Sequence, residues 1–463
     1  LYSKLSELCN LSKASLEWVC FFLKDSVMAI FYDPTSRKLP RGEFDGIYEE
    51  KKLYQVWLDV EAALVQAQIE MDIVPKSEGE TIIQNCKIEL LNQDNIVAGF
   101  VRTGHGLIPL LDELSRVVGD DAAKYVHYGI TTQNVQQTSE LIVCKKFTAE
   151  FERLIESIVF HIQSLTERFG DQVVAARTHS KQALPITLST KFAAWKDEFE
   201  RCLDLLETSK NRIFQVMMGG AVGGFHTLPE KGLEMQARVS DLLEMEPMKV
   251  PSRAIRTHLC EYVNNLTIIG MACAKIAEEI YVLSSEEYGE MSEGFKKGMV
   301  GSSTMPQKVN PRLCYGIIGN AKSLFSLPST MLNISVRPFE ADGCSNLVID
   351  QTLREANLLT HEILLRSECL LDGLQVLVPN LERNLALSQG TIVSENLMMV
   401  LSRTGLGKQK AHHLVYELVL EAKEKGTTLL EAALENDEVS SVLSPEQLKE
   451  ALEPRSYTGI QFS

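Results

Sequence analysis

The sequence predicts an all-α protein organised as a bundle of unusually long helices. Two observations carry that prediction. Apolar residues step by four and three through several long segments, which is the spacing of a buried helix stripe. Sustained period-two alternation and turn-bounded β-branched runs, the marks of strands, are scarce.

In chain order, the apolar run LEWVCFFL (Leu16–Leu23) comes first. It lies between Lys13 and Lys24, is too short to span a bilayer, and lacks the small-residue cleavage site of a secretory signal. In LYQVWLDVEAALVQAQIEM, Leu53, Trp57, Val60, Leu64, Ala67 and Met71 form a helix stripe that Asp72–Pro75 ends. Phe147, Phe151, Leu154, Ile158 and Leu165 mark a second stripe, stopped by Gly170. From Asn134 to Phe169 that helix would be on the order of 50 Å long, roughly three to four times an average globular helix. A third stripe, Leu188, Phe192, Trp195, Phe199, Cys202 and Leu206, follows Pro185. The fourth runs through Leu259, Val263, Leu266, Cys273, Ile276, Ile280 and Leu283.

Helices of this length pack side by side with shallow left-handed crossings. Continuous stripes also call for partner helices from other copies of the chain, so an oligomer is expected. The segment to about Gly119 has shorter, more broken helices. The tail from Leu381 has short amphipathic ones, with turn signals at Gly405 and Gly426. Three helical domains are therefore expected, over residues 1–119, 120–380 and 381–463.

Composition narrows the function. The 45% apolar and 23% charged residues are those of a soluble globular protein. A net charge of −16 argues against nucleic acid as a partner, since no broad basic face can replace phosphate counterions. It leaves room for a small anionic substrate held by a few local lysines. No segment is expected to span a membrane. Ten cysteines without a C-x-x-C pair or a Cys/His cluster read as buried, reduced thiols. That favours a cytoplasmic protein without a structural metal. The GGAVGG run (Gly219–Gly224) follows a predicted helix and not a strand, so it is no dinucleotide fingerprint, and no cofactor is expected.

Three polar breaks interrupt the helices: HYGITTQNVQQT (His127–Thr138), ARTHSKQALPIT (Ala176–Thr187) and GSSTMPQKVNP (Gly301–Pro311). Each is rich in hydroxyl, amide or imidazole groups and sits at or near a predicted helix start. Backbone N–H groups there attract anions, so Thr131, Thr132 and Gln133 can hold a carboxylate. Singly, each residue also has a plain structural reading. Thr131 and Thr132 are suitable N-caps, His127 and His179 suitable half-buried histidines, and Ser302 or Ser303 ordinary loop residues. The coincidence of all three breaks favours a binding site.

GSSTMPQKVNP resembles the signature loop of the fumarase/aspartase superfamily, G-S-S-x-M-P-x-K-x-N-P, at every fixed position. HYGITTQNVQQT is similar to that superfamily's first motif in the form seen in adenylosuccinate lyases. ARTHSKQALPIT resembles the second motif, and QALPIT and the tail SPEQLKEALEPRSYTG are similar to carboxymuconate cycloisomerases. The resemblance implies a homotetramer with a twenty-helix core, each active site drawing its motifs from three subunits. It implies anti β-elimination from a small dicarboxylate or tricarboxylate, releasing fumarate. Position by position, it makes Ser302 the general base and gives Lys308 and Asn310 one substrate carboxylate. Thr131, Thr132 and Gln133 take the other, and Thr178 and His179 lie near the leaving group, His179 as a catalytic residue. His105, His127, Lys181, Ser303 and Met305 complete the implied substrate-binding set.

The chemistry suits these residues. Removing a proton beside a carboxylate builds a doubly charged aci-carboxylate, which needs donors already aimed at it. A serine is a weak base at its free pKa, so Ser302 needs backbone N–H groups around its oxygen and a loop that excludes water.

Several positions depart from the superfamily pattern. Tyr315 stands where a glutamate usually pairs with the motif-two histidine, Lys181 replaces a glutamine and Asn134 an aspartate. RTHLCEY (Arg256–Tyr262) stands where R-D-R is frequent. PQKVNP and FEAD (Phe339–Asp342) lack two arginines and a histidine expected around a nucleotide phosphate. The expected substrate is therefore an N-substituted aspartate or another substituted succinate, with Lys181 an extra cation, and the site can also epimerise by elimination and re-addition. The alternatives are a carboxymuconate-type cycloisomerase, an adenylosuccinate lyase, and a catalytically retired structural homologue.

Overall fold

Long apolar stripes become long helices, and contacts along them fix their directions. The computed structural model describes residues 39–294 and 301–462; the Leu16–Leu23 run, Cys9 and Cys20 lie outside them. Two compact units divide the chain at Ile47/Tyr48. Residues 39–47 of the first carry one 3₁₀ turn, Gly42–Phe44.

The second unit opens with four shorter helices: α1 (Glu50–Glu70), α2 (Lys76–Asn85), α3 (Gln93–Thr103) and α4 (Ile108–Val118). Asn92 caps α3 by accepting the N–H groups of Asp94 and Asn95, and Gly104 ends it at φ 65°. The long helices follow: α5 (Thr132–Phe169), α6 (Leu188–Ile213) and, beyond α7 (Gly232–Leu242), α8 (Thr257–Leu283). They are completed by α9 (Arg312–Leu324), α10 (Leu327–Ser335) and α11 (Gly343–Asp372), the last capped by the Asp342 carboxylate on the Cys344 and Ser345 N–H groups.

Polar contacts between α5 and α11 climb in step. Asn346 donates to Gln133 at 2.9 Å, Arg354 pairs with Glu140, Asn357 donates to Cys144 Sγ at 3.4 Å, and His361 stands 3.5 Å from Glu150. The two helices therefore run parallel and in register. Arg256 and Tyr262 bind Gln137 and the Cys144 carbonyl, so α8 runs the same way. Ion pairs Lys191–Glu279, Lys275–Glu198 and Arg212–Glu261 show α6 returning antiparallel to α8. Phe147, Phe151, Leu154, Ile158, Phe192 and Val263 are wholly buried between these helices. The predicted stripes are thus the core, and their burial is the main stabilising term. The tail helices pack around Leu397, Leu401, Val415, Leu418, Leu429 and Leu448.

Two expectations need correction. The break ARTHSKQALPIT is a hairpin and not a helix-side loop: β1 (Val173–Thr178) pairs antiparallel with β2 (Lys181–Thr187). Its two-residue turn, His179–Ser180, has φ of 49° and 62°, a left-handed turn usually written with Asn and Gly. A register shift between Ala175 and Arg177 and Pro185 inside β2 erase the alternation that would have announced a strand. The GGAVGG run, expected straight after a helix, is preceded by a two-residue strand, β3 (Gln215–Val216), which pairs in parallel with β4 (Glu246–Pro247). The next helix opens at Gly232, eight residues after the run ends. Cys86, Cys144, Cys202, Cys273 and Cys314 are buried free thiols, but Cys344 is exposed. Among the described residues no helix is long and apolar enough to cross a membrane, and no group of acidic, His and Cys side chains can hold a metal.

Candidate active site

At the start of α5, Asn134 accepts the Thr131 N–H at 3.1 Å and the Gly220 N–H at 3.0 Å through one oxygen. An aspartate would accept the same two bonds, so the departure at this position removes a charge and keeps the geometry. Gln133 is buried with its oxygen engaged by Asn346, which leaves its NH₂ group as the donor available to an anion. Thr131 and Thr132 are half-buried beside it. Gly129, at φ 87°, is held through its carbonyl by the Thr227 hydroxyl. A Cβ there would come within 2.8 Å of Leu228.

His127 also lies in the left-handed region, at φ 57°. Its Nδ1 meets Glu61 Oε1 at 2.6 Å, and Glu61 is only 1% exposed. The carboxylate accepts from Nδ1–H, which orients the ring and leaves Nε2 for other partners. Glu61 carried no signal in the sequence, because it sits in the apolar stripe of α1. His105 caps α4, its Nδ1 accepting the Leu107 and Ile108 N–H groups at 3.2 Å each. The neighbouring Gly106 lies against Gln136, so His105, His127, Thr131, Thr132 and Gln133 gather at one end of α5.

The second motif lies elsewhere. Thr178, His179 and Lys181 are exposed at the tip of the β1–β2 hairpin, just past the other end of α5. That helix has 38 residues, so it is about 57 Å long at 1.5 Å per residue, and the two motifs flank it in one chain. Arg177 anchors the hairpin: it donates to both oxygens of the buried Glu290, at 2.9 and 2.5 Å, and covers the Tyr288 ring at 4.8 Å. The hydrogen bonds to Glu290 raise the Arg177 pKa further above its usual value, so the guanidinium stays charged. Among the described residues no hydrogen bond joins Tyr315 to His179, and Tyr315 is exposed.

The third motif starts near that same hairpin. Glu293 closes its base, accepting the Leu313 and Cys314 N–H groups at 3.0 and 2.7 Å in the first turn of α9. Ser302 Oγ accepts the N–H groups of Met305 at 3.2 Å and Thr304 at 3.4 Å. Gly301 passes so close to the Lys308 carbonyl that an added Cβ would sit 2.5 Å from its oxygen. Ser303, Met305 and Lys308 are exposed, and Asn310 is half-buried.

Beside the first motif is a small, open hollow lined in part by Arg253, Arg256 and Arg337. Arg337 is neutralised by Asp342 at 2.5 Å. Among the described residues Arg256 donates to neutral amides, Gln137 and Asn346, each at 3.0 Å. Burial and then Arg253 lower its pKa. Nearby, burial and then Arg256 push His258 down to about 4, so it is neutral at physiological pH. Burial and then Glu140 push Asp350 up to about 7. Neither Arg253 nor Arg256 was singled out as a binding residue in the sequence, because single arginines at a helix start look like ordinary surface charge.

Comparison with known proteins decides the family. A family model described as "Lyase" matches residues 37–324, and one described as "Adenylosuccinate lyase C-terminus" matches residues 390–460. The adenylosuccinate lyase of Methanothermobacter thermautotrophicus is 33% identical over 92% of this chain and 95% of its own. The chain belongs to the fumarase/aspartase superfamily of lyases. A second member, the N-acetyl-S-(2-succino)cysteine lyase of Enterococcus italicus, is 30% identical over 90% of this chain and 92% of its own. A solved structure of the superfamily, the β-carboxy-cis,cis-muconate cycloisomerase of Acinetobacter calcoaceticus, superposes with a TM-score of 0.83 at 26% identity. It covers 93% of this chain and 96% of that one. Superfamily members thus include enzymes named for eliminations and for a cyclisation, and the family alone does not choose among them.

Proposed function

We propose that this lyase catalyses reversible anti β-elimination from a substituted succinate, with fumarate as product or intermediate. The observation that carries the reading is Ser302 Oγ seated on two backbone N–H groups inside an intact signature loop. Those donors stabilise negative charge on the oxygen and so favour its action as a base. Ser302 takes a proton from the carbon beside one carboxylate, and the electron pair forms the double bond. The bond to nitrogen or sulfur on the neighbouring carbon breaks, and His179 delivers the proton the leaving group needs. Lys308 and Asn310 hold the carboxylate on which charge builds, and Thr131, Thr132 and Gln133 hold the other. Thr178, Lys181, His105, His127, Ser303 and Met305 line the rest.

Because the first two motifs flank a helix about 57 Å long within one chain, the site is completed by other copies, in a cytoplasmic homotetramer. Apolar side chains left bare on the long helices, such as Met271 at 41% and Leu347 at 72% exposure, support that assembly. The favoured substrates are N- or S-substituted succinates smaller than a nucleotide. Reversible addition to either face of bound fumarate would make the enzyme an epimerase. The similarity to cycloisomerases favours a second reading, acid–base cyclisation of a carboxymuconate-type acid.

The test is proton NMR in D₂O with a panel of substituted succinates, wild type beside Ser302→Ala. Deuterium entering the carbon next to the carboxylate, lost in the variant, upholds Ser302 as base. Fumarate release, inversion or lactone formation then separates the reactions. Equal exchange by the variant would overturn the assignment.

A further inference from the structure

We infer that Arg253 and Arg256 form an anion subsite for the leaving-group side of the substrate, next to the carboxylate site at the start of α5. This rests on the proposed lyase reading and adds to it the chemistry of the leaving group.

Arg256 is 7% exposed and donates to the amide oxygens of Gln137 and Asn346. A guanidinium withdrawn from water without a carboxylate beside it is costly to hold, and such groups are normally paired. Arg253 borders the same hollow, and its buried Nε has no hydrogen-bond partner among the described residues. Among the described residues neither forms an ion pair within 4.0 Å, whereas Arg337 in the same wall is neutralised by Asp342. The acid in electrostatic range, Asp350, is pushed up to about 7 by burial and by Glu140, so it balances them only in part. Two unspent positive charges, one buried, therefore face one small hollow.

The subsite is wired to the first motif. Arg256 donates to Asn346 Oδ1, and Asn346 Nδ2 donates to Gln133 Oε1. Two such bonds and the width of an amide put the guanidinium roughly 8 Å from the Gln133 side chain. An anion bound there lies within an amino acid's length of a carboxylate bound at Gln133. That span suits a carboxylate on an amino-acid-sized leaving group that reaches the open hollow from outside. A nucleoside phosphate needs a longer reach.

The test compares kcat/KM within matched pairs. One pair is N-acetyl-S-(2-succino)cysteine and its counterpart without the cysteine carboxylate. The other is adenylosuccinate and its dephosphorylated nucleoside. Wild type is run beside Arg253→Gln, Arg256→Gln and Arg253→Lys. Wild type is expected to prefer the carboxylate-bearing thioether by about tenfold or more, a preference both Gln variants lose and Arg253→Lys largely keeps. The within-pair ratio is unaffected by a general loss of folding or of Gln133. The same pattern in the nucleotide pair upholds the subsite and names phosphate as its anion. A ratio near one in both pairs for wild type, or one that survives both Gln substitutions, overturns it. If wild type turns over none of the four, the lyase reading fails on these substrates. Titration calorimetry with N-acetylcysteine and inorganic phosphate then decides the subsite. Binding abolished by Arg253→Gln and Arg256→Gln upholds it, and absent or unaltered binding overturns it.

Discussion

The pair that anchors the hairpin, Arg177 with Glu290, makes a sharp quantitative test. Glu290 is 4% exposed and Arg177 18%, so both charges are largely out of water. Glu290 also accepts from Asn384 Nδ2 at 2.8 Å. Glu290→Ala removes the acceptor for two Arg177 N–H groups and leaves a mostly buried guanidinium unpaired, which should cost about 3–5 kcal/mol. Arg177→Met leaves the carboxylate with Asn384 as a donor, and the charge-assisted bonds lost put its cost at about 2–3 kcal/mol. If the residues acted independently, the double variant would lose the sum, roughly 5–8 kcal/mol. Removing both charges together leaves no orphan, so the double variant should lose only about 2–4 kcal/mol, less than Glu290→Ala alone. Urea unfolding of the four proteins at one subunit concentration gives the cycle, and hydrogen exchange in β1 and β2 localises it. Costs that add within about 0.5 kcal/mol would refute the claim that the pair acts as a buried unit.

If the proposed shared site is right, mixing Ser302→Ala with His179→Ala and letting subunits exchange should restore activity to about a quarter of wild type, because random assembly regains sites with both groups intact. Continued inactivity after verified exchange would mean one subunit supplies both. His258, whose ring nitrogens lack partners, has a native pKa near 4 against an ordinary 6.5. Between those values the unfolded chain binds more protons, so stability falls as pH drops from 6.5 towards 4. His258→Leu should remove that fall, gaining about 2 kcal/mol on wild type at pH 5 relative to pH 8 in urea titrations; identical pH profiles would contradict it. Gly129→Ala meets both a left-handed backbone and Leu228, so it should cost about 1–2 kcal/mol and raise KM more than it lowers kcat, as steady-state kinetics would show.

The long helices and the signature loop were legible in the sequence because both are local. A stripe stepping by four and three declares which face is buried, whatever it packs against, and Leu259 to Leu283 became the buried face of α8. Gly301 and Lys308 are seven residues apart, so their close approach is written within one short segment. The β1–β2 hairpin escaped because its turn uses His179 and Ser180, residues no local rule assigns to a left-handed turn, and because tertiary anchoring by Arg177 and Glu290 holds it.

The sequence by itself determined the helical class, the three motifs and, through them, a family of acid–base chemistry. Periodicity and contiguous motifs survive in one dimension. Only the tertiary structure decided that Glu61 orients His127 across 66 positions, that Gln133 and Arg256 share Asn346, and that the first two motifs stand at opposite ends of one helix. Those facts depend on which helix faces share a register and on which charges lose water without gaining a partner. Neither is set by the order of residues within any one segment.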